Sequence, residues 1–166
     1  MKTTPSAWPL LFWASGVVAL DQSTKWLIQA EFLLHESREI LPGFFSLTYL
    51  TNTGAAFGLL AGEKTLFRQA FFIGVAMLAL VVLILTYRHV STQGRLFVHA
   101  IGLIAGGAVG NLIDRLRFGA VVDFLDFYVK GYHWPAFNVA DSAISVGVGL
   151  FIFGSMVSAD TKENGE

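Results

Sequence analysis

The stretch Gly102–Gly147 decides the fold, and it reads GLIAGGAVGNLIDRLRFGAVVDFLDFYVKGYHWPAFNVADSAISVG. An apolar, glycine-rich run ends in Asn111, Asp114 and Arg115, and a second apolar run opens at residues 138–142. Asp123 and Asp141 stand at the ends of these apolar segments. A charge placed at the centre of a bilayer costs about 2.5–3.5 kcal/mol or more, so acids in such segments usually have a function.

Composition places the rest of the chain in a membrane. Of 166 residues, 54% are hydrophobic and only 14% are charged, whereas soluble domains carry about 25% charged residues. The length fits a single domain covering residues 1–166. A net charge of −1 gives no basic footprint for nucleic acid. The absence of cysteine excludes disulfides, thiolate metal sites and a cysteine nucleophile.

Four apolar segments approach the roughly 20 residues that a helix needs to cross a bilayer. The first is interpreted as an uncleaved helix, because the polar cluster 21–25 follows where a signal peptide would need a small-residue cleavage site. Gly102, Gly106 and Gly110 recur every four residues, which predicts one helix face for close packing. The predicted spans are about residues 8–28, 67–87, 96–113 and 140–157.

Two longer connections separate the spans. Leu41-Pro42-Gly43 is a turn signal, and the residues 44–50 that follow are rich in strand formers. Residues 119–138 form the second connection, whose aromatic content is typical of a membrane interface. The predicted fold is an all-α integral membrane protein with four transmembrane helices. A small surface β-sheet and a short interfacial connection lie on its outer face.

Loop charges indicate the orientation. Four spans place both termini on one side, together with the short hairpin between the second and third spans. That hairpin carries Arg88 and Arg95 and is more basic per residue than the long connections. Because positive charge favours the cytoplasmic side of short loops, we expect the termini to be cytoplasmic.

Four acids fall on the same membrane face in this topology: Asp21, Asp114, Asp123 and Asp141. Asp123 and Asp141 are the best chemical pair, since both have apolar neighbours. Two carboxylates close together in a poorly solvated place share one proton. Such a pair supplies a base that activates water and an acid that protonates a leaving amine. The alternative is that Asp141 caps a helix and Asp123 is an ordinary loop acid.

Other polar residues at this level have structural interpretations. Asp114 with Arg115 predicts an ion pair, and Asp21 with Lys25 predicts a helix-end pair at i,i+4 spacing. Three side-chain amides could bond to the acids, to a substrate or to the local backbone. They are Asn52, Asn111 and Asn138.

Several chemistries lack their motifs. The sequence contains no H-E-x-x-H metal motif, no G-x-S-x-G elbow and no phosphate-binding G-x-x-x-x-G-K-[ST] loop. The four histidines are scattered without metal-ligand spacing. We therefore expect neither a metal nor a cofactor.

Five ordered motifs make the chain resemble the bacterial lipoprotein signal peptidase family, also called signal peptidase II. Together they cover nearly the whole length, and no motif position departs from the family pattern. The motifs are Asp21-Gln22-x-x-Lys25, Asn52-Thr53-Gly54-Ala55-Ala56-Phe57, Gly106-Gly107-Ala108-x-Gly110-Asn111-Leu112-Ile113-Asp114-Arg115, Val121-Val122-Asp123-Phe124 and Phe137-Asn138-x-Ala140-Asp141-Ser142.

The resemblance implies an aspartic endopeptidase of the bacterial cytoplasmic (inner) membrane, with four helices, cytoplasmic termini and an active site at the outer face. Apart from the resemblance, we expect the protein to be a monomer. Its partners would be membrane lipid and prolipoproteins, which it would cleave just before a diacylglyceryl-modified cysteine. Asp123 and Asp141 match the catalytic aspartates. The positions that match residues lining or supporting the site are Asp21, Asn52, Gly54, Gly107, Asn111, Asp114, Arg115, Asn138 and Ala140.

A different class of protein is the alternative. In a small proton-coupled transporter or channel subunit, the acids would form a proton relay. A relay usually strings its acids through the bilayer. Here the acids gather at one face, which favours hydrolysis.

Overall fold

A computed structural model describes residues 7–54 and 65–163, with side chains up to residue 158. A short 3₁₀ turn, Ser91–Gln93, connects the second and third helices. The four helices lie where the four spans were predicted, and each continues beyond its predicted C-terminal limit. The elements in chain order are α1 Trp8–Glu31, β1 Ser37–Leu41, β2 Phe45–Asn52, α2 Leu66–Val90, α3 Arg95–Phe118, β3 Val121–Val129, β4 Tyr132–His133 and α4 Val139–Glu163.

Within the described residues, three helical segments are long and apolar enough to cross a membrane: Leu66–Gln93, Arg95–Phe118 and Val139–Ser158. Helix α1 does not belong to this set, because polar residues interrupt its second half. Two of those residues, Asp21 and Lys25, are fully buried against the other helices. Four spans therefore remain a prediction.

Glycines bring α3 close to α1 and α4. A methyl group at Gly102 would lie 2.8 Å from Cβ of Trp13, and one at Gly106 would lie 2.8 Å from Cβ of Val17. These distances are shorter than any normal carbon contact, so only glycine allows the observed approach. The predicted glycine face is confirmed, and it is the surface that packs on α1.

The four strands form one antiparallel sheet in the order β1-β2-β3-β4. The strand expected over residues 44–50 is confirmed as β2. Interpreting 119–138 as a short connection was wrong, since it contains β3 and β4. Strand β3 is rich in β-branched and aromatic residues, a strand signal, and it pairs with β2 in a register that places Leu50 opposite Asp123.

A tight turn returns the chain from β3 to β4. Lys130 and Gly131 both have positive φ, 50° and 81°, as the two-residue turn of a twisted hairpin requires. After β4, residues 134–137 run back along β3, and Phe137 forms a bridge with Leu125. Because of this return, the start of α4 lies beside Asp123.

Candidate active site

Asp123 and Asp141 lie in one cavity. Asp123 is on β3 with 3% of its surface exposed, and Asp141 is in the first turn of α4. Both line a cavity of about 560 Å³, whose walls also include Trp134, Phe137 and Val146. Two carboxylates separated in sequence thus meet in a largely apolar space.

Two side-chain amides link the carboxylates. Asn111 donates from Nδ2 to Oδ1 of Asp141 at 2.8 Å. Asn138 donates from Nδ2 to Oδ1 of Asp123 at 2.7 Å and to Oδ1 of Asn111 at 3.2 Å. The four side chains form a continuous chain of hydrogen bonds from one acid to the other.

Asn138 also begins helix α4. Its Oδ1 accepts the backbone N–H of Asp141 at 2.9 Å, and Oδ2 of Asp141 accepts the backbone N–H of Asn138 at 3.3 Å. This reciprocal pair is a capping box. Asp141 therefore takes part in capping the helix, which was the alternative role considered for it. The cap residue itself is Asn138. Asp123 is a buried strand residue and not a loop acid.

A second cluster of charges lies behind Asn111. Nζ of Lys25 is 2.9 Å from Oδ2 of Asp21 and 2.8 Å from Oδ2 of Asp114, and all three side chains are buried. The predicted pair of Asp21 with Lys25 is confirmed. The predicted ion pair of Asp114 with Arg115 was wrong, because adjacent residues on a helix do not face each other.

Asp114 instead ties β3 and α1 to α3. Its Oδ2 accepts the backbone N–H of Val122 at 3.0 Å, and its Oδ1 accepts Nε2 of Gln22 at 2.9 Å. The bond to Val122 holds the residue directly before Asp123. Asp114 thus fixes the strand that carries one acid of the cavity.

Arg115 reaches the cavity itself. Its guanidinium donates to the carbonyl oxygens of Asn111 and Gly54 at 3.4 and 3.5 Å, and it lies 5.3 Å from the ring centre of Phe72. Asn52 also lines the cavity and accepts the backbone N–H of Gly54 at 2.9 Å. The remainder of that motif, Ala55–Phe57, falls outside the described residues.

Gly107 and Ala140 bring α3 and the start of α4 into close contact, and the backbone of Ala140 also forms a hydrogen bond. A methyl group at Gly107 would collide with the carbonyl of Ala140 and with Ile144. Ala140 is fully buried, and its backbone N–H donates to Oδ1 of Asp21 at 2.9 Å. Asp21 therefore binds the first turn of α4, directly before Asp141.

Two features around the site were not predicted from the sequence. Lys25 was expected only as a helix-end partner, and residues 134–137 were expected in an aromatic interfacial connection without the return along β3 that makes them a wall of the cavity. A lysine in the middle of an apolar segment was the available signal for the first, since such residues pair inside the bundle. The wall has no comparable signal, because it is formed by the return of the chain along β3.

The electrostatics of Asp123 suit proton transfer. Burial is the main cause that raises the pKa of Asp123, followed by the nearby charge of Asp141. Hydrogen bonds from Asn52 and Asn138 and the charge of Lys25 oppose this, and the resulting pKa of Asp123 is about 7. Near neutral pH this carboxyl is therefore present in both protonated and ionised forms. Among the described residues, no group of three or more His, Asp or Glu side chains is arranged to hold a metal ion.

Comparison with known proteins identifies the family. The family model described as signal peptidase (SPase) II matches residues 13–157. The chain belongs to the signal peptidase II family. The resemblance seen in the sequence motifs is confirmed.

Relatives in the signal peptidase II family match most of their length. Lipoprotein signal peptidase of Syntrophotalea carbinolica is 53% identical over 143 residues, 86% of this chain and 88% of the relative. That of Desulforapulum autotrophicum is 49% identical over 137 residues, 82% of this chain and 85% of the relative. The fold is shared with a bacterial membrane enzyme solved by the in meso method at 2.3 Å, with a TM-score of 0.84, 33% identity, and coverage of 98% of this chain and 96% of that one.

Proposed function

We propose that this protein is a lipoprotein signal peptidase, a protease that removes signal peptides from prolipoproteins. Family membership and relatives of about 50% identity over most of the chain support this activity. The observation that carries the mechanism is the meeting of Asp123 and Asp141 in one cavity. Acids gathered in one cavity do not favour a proton relay through the bilayer.

The proposed chemistry is that of an aspartic dyad. One carboxyl is ionised and takes a proton from water as the water oxygen attacks the scissile carbonyl carbon. The other carboxyl is protonated and donates its proton to the leaving nitrogen as the C–N bond breaks. The raised pKa of Asp123 supports a pair that shares one proton. Arg115 and the amides of Asn52 and Asn111 also face the cavity and are placed to hold a substrate backbone.

The membrane arrangement is also part of the proposal. Helix α1 would be a fourth span, because Trp8, Phe12, Leu20 and Trp26 are exposed on it while Asp21 and Lys25 face the bundle. The cavity lies at the end of the bundle that carries the sheet, far along α3 and α4 from the hairpin at residues 91–94. The proposed orientation in the inner membrane has cytoplasmic termini and the cavity at the outer face.

The substrate would be a prolipoprotein whose cysteine carries a diacylglyceryl group, with cleavage just before that cysteine. The cavity combines the two acids with apolar groups such as Ile144 and Val146. A peptide bond can reach the acids there while acyl chains stay in lipid. The enzyme is proposed to act as a monomer without metal or cofactor.

The test is cleavage of a lipidated prolipoprotein by the purified full-length protein in detergent, with mass spectrometry of both products. Asp123→Asn and Asp141→Asn should each lower kcat by at least about 10²–10⁴, the usual contribution of a general acid or base. Asp126→Asn is the matched control, since Asp126 is a buried acid on the same strand that bonds to Thr48 and His133. Wild-type turnover in either dyad variant would show that the assignment is wrong.

A further inference from the structure

Lys25 is a buried lysine whose three donors are all used. Its Nζ donates to Oδ2 of Asp21 at 2.9 Å, to Oδ2 of Asp114 at 2.8 Å and to Oδ1 of Asn111 at 3.0 Å. An ammonium group has three N–H donors and no acceptor. The third bond is the one that concerns the cavity, because Asn111 bonds directly to Asp141.

The ammonium determines which way the Asn111 amide points. Lys25 can only donate, so the amide atom facing it must be the oxygen. The NH₂ group of Asn111 is then directed at Oδ1 of Asp141. In the flipped orientation, two N–H groups would oppose the ammonium and the amide oxygen would oppose a carboxylate.

Asn138 supports the same orientation independently. Its own amide is fixed, since Oδ1 accepts the N–H of Asp141 and Nδ2 donates to the carbonyl of Val122 at 3.1 Å. Nδ2 of Asn138 also faces Oδ1 of Asn111 at 3.2 Å, and shares its two N–H groups among this oxygen, the Val122 carbonyl and Oδ1 of Asp123. Two side chains, Lys25 and Asn138, therefore hold the Asn111 oxygen in place, and Lys25 is the charged one.

We propose that Lys25 is a positioning residue for the dyad, which orients the Asn111 amide so that its N–H group holds the Asp141 carboxylate in place. This inference rests on the proposed function, since it assumes that Asp123 and Asp141 carry out the reaction. Lys25 does not line the cavity. It acts through Asn111 and does not touch the reacting atoms.

The charge of Lys25 is a second route to the dyad. It lowers the pKa of Asp123 against the effect of burial. The other charged groups around the dyad are Asp21 on α1 and Asp114 and Arg115 on α3, and β2 contributes the neutral Asn52. Loss of Lys25 removes a positive charge from this set, so the carboxylate form becomes less favourable.

The experiment is the pH dependence of kcat and KM for Lys25→Met in the full-length protein, with a lipidated prolipoprotein as substrate. We expect kcat to fall by about 10²-fold, the effect of a small misplacement of a catalytic group, while KM changes less than about twofold. The alkaline limb of the kcat profile, which reports loss of the Asp123 proton, should move to higher pH, because Lys25 lowers the pKa of Asp123. A wild-type kcat together with an unmoved alkaline limb would overturn the proposal.

Gln22→Leu is the matched control for a merely structural role. Gln22 donates to Asp21, to the carbonyl of Gly110 and to Asp114, but it has no bond to Asn111. Its loss should lower the melting temperature in detergent and leave the alkaline limb in place. An equal shift of the alkaline limb in this variant would also overturn the proposal.

A second variant covers the case in which Lys25→Met does not fold, because that change leaves Asp21 and Asp114 without a counter-charge. Lys25→Met combined with Asp114→Asn removes one charge of each sign and keeps the net charge of the cluster. The double variant should have a lower kcat than Asp114→Asn alone. Equal kcat values for the double variant and Asp114→Asn would contradict the inference. Activity in Asp123→Asn or Asp141→Asn would instead reject the dyad itself, so the two failures are distinguishable.

Discussion

The side-chain amide of Asn138 donates a 2.7 Å hydrogen bond to Asp123, fifteen residues away in the chain. The same amide caps the helix that carries Asp141, through a 2.9 Å bond from the Asp141 N–H. One fully buried residue thus sets the position of both acids. The first turn of α4 and the Asp123 side of the cavity are therefore connected through a single side chain.

The two roles of Asn138 can be separated by substitution. Asn138→Ser keeps a side-chain oxygen that caps a helix, whereas Asn138→Ala does not, and both lose the donor to Asp123. We expect both variants to lose kcat by a similar factor, about 10²-fold. The serine variant should be the more stable by about 1 kcal/mol, the usual value of a cap. Melting temperatures in detergent and a cleavage assay measure the two effects, and a serine variant with wild-type kcat would show that the donor is unimportant.

Spacing within one helix was readable from the sequence. Asp21 and Lys25 are four residues apart and were expected to pair, and Gly102, Gly106 and Gly110 were expected on one face. Both expectations depend only on helix geometry. The partner of Asp114 was not readable in this way, because Lys25 approaches it from another helix.

The position of Asp123 likewise depends on contacts between elements that the local sequence does not predict. Its apolar neighbours Val122 and Phe124 indicated a poorly solvated acid, and the structure buries it. Its placement on a strand depends on pairing with β2, more than 70 residues earlier, in a register that places it opposite Leu50. The orientation of the Asn111 amide depends on three residues at once, Lys25, Asn138 and Asp141, which come from α1 and from the start of α4. Such long-range contacts leave no periodic pattern in the chain.

The pKa of Asp123 predicts how stability depends on pH. A carboxyl whose pKa in the folded protein is about 7, above its ordinary 3.8, holds its proton more tightly when folded. Its contribution to stability is therefore complete below about pH 4 and is lost as the pH rises through 7. At about 1.4 kcal/mol per pH unit, the loss amounts to several kcal/mol.

The variant Asp123→Asn tests whether stability falls as the pH rises, as the raised pKa of Asp123 predicts. The variant should be no more stable than the wild type at pH 4 and should become relatively more stable as the pH rises to 8. Melting temperatures across this range in one detergent measure the difference, and Asp126→Asn serves as the control. A constant difference in melting temperature between Asp123→Asn and the wild type would contradict the raised pKa.

The rate should pass through a maximum with pH. A dyad that shares one proton is inactive when both carboxyls are protonated and when both are ionised. Loss of the Asp123 proton should bring the rate down as the pH rises through about 7. The two apparent pKa values of the profile belong to the pair. Measurements of kcat over the acidic and neutral range provide the test, and a flat profile there would count against the dyad.

Activity should survive removal of metal ions. The proposed reaction uses two carboxyls and water, and the sequence has no cysteine and no clustered histidines. Incubation with EDTA, followed by the cleavage assay with and without added zinc, measures the effect. Inactivation by EDTA that zinc reverses would replace the aspartic mechanism with a metal-dependent one.

The last prediction concerns the lipid on the substrate. Asp123 and Asp141 share their cavity with Trp134, Ile144 and Val146, and the side chains of Trp134 and Val146 are also exposed at the surface of the molecule. The acids therefore lie beside an exposed apolar surface, which in the proposed orientation would face the bilayer or a detergent micelle.

Acyl chains in that region would hold the modified cysteine at the depth of the acids. Each buried methylene contributes about 0.8 kcal/mol to membrane anchoring, and binding energy remote from the scissile bond can position that bond. A prolipoprotein whose cysteine is changed to serine, and so carries no lipid, should have a kcat/KM lower by about 10²-fold or more in the same detergent. Equal kcat/KM for the lipidated and unlipidated forms would mean that the site recognises the peptide alone.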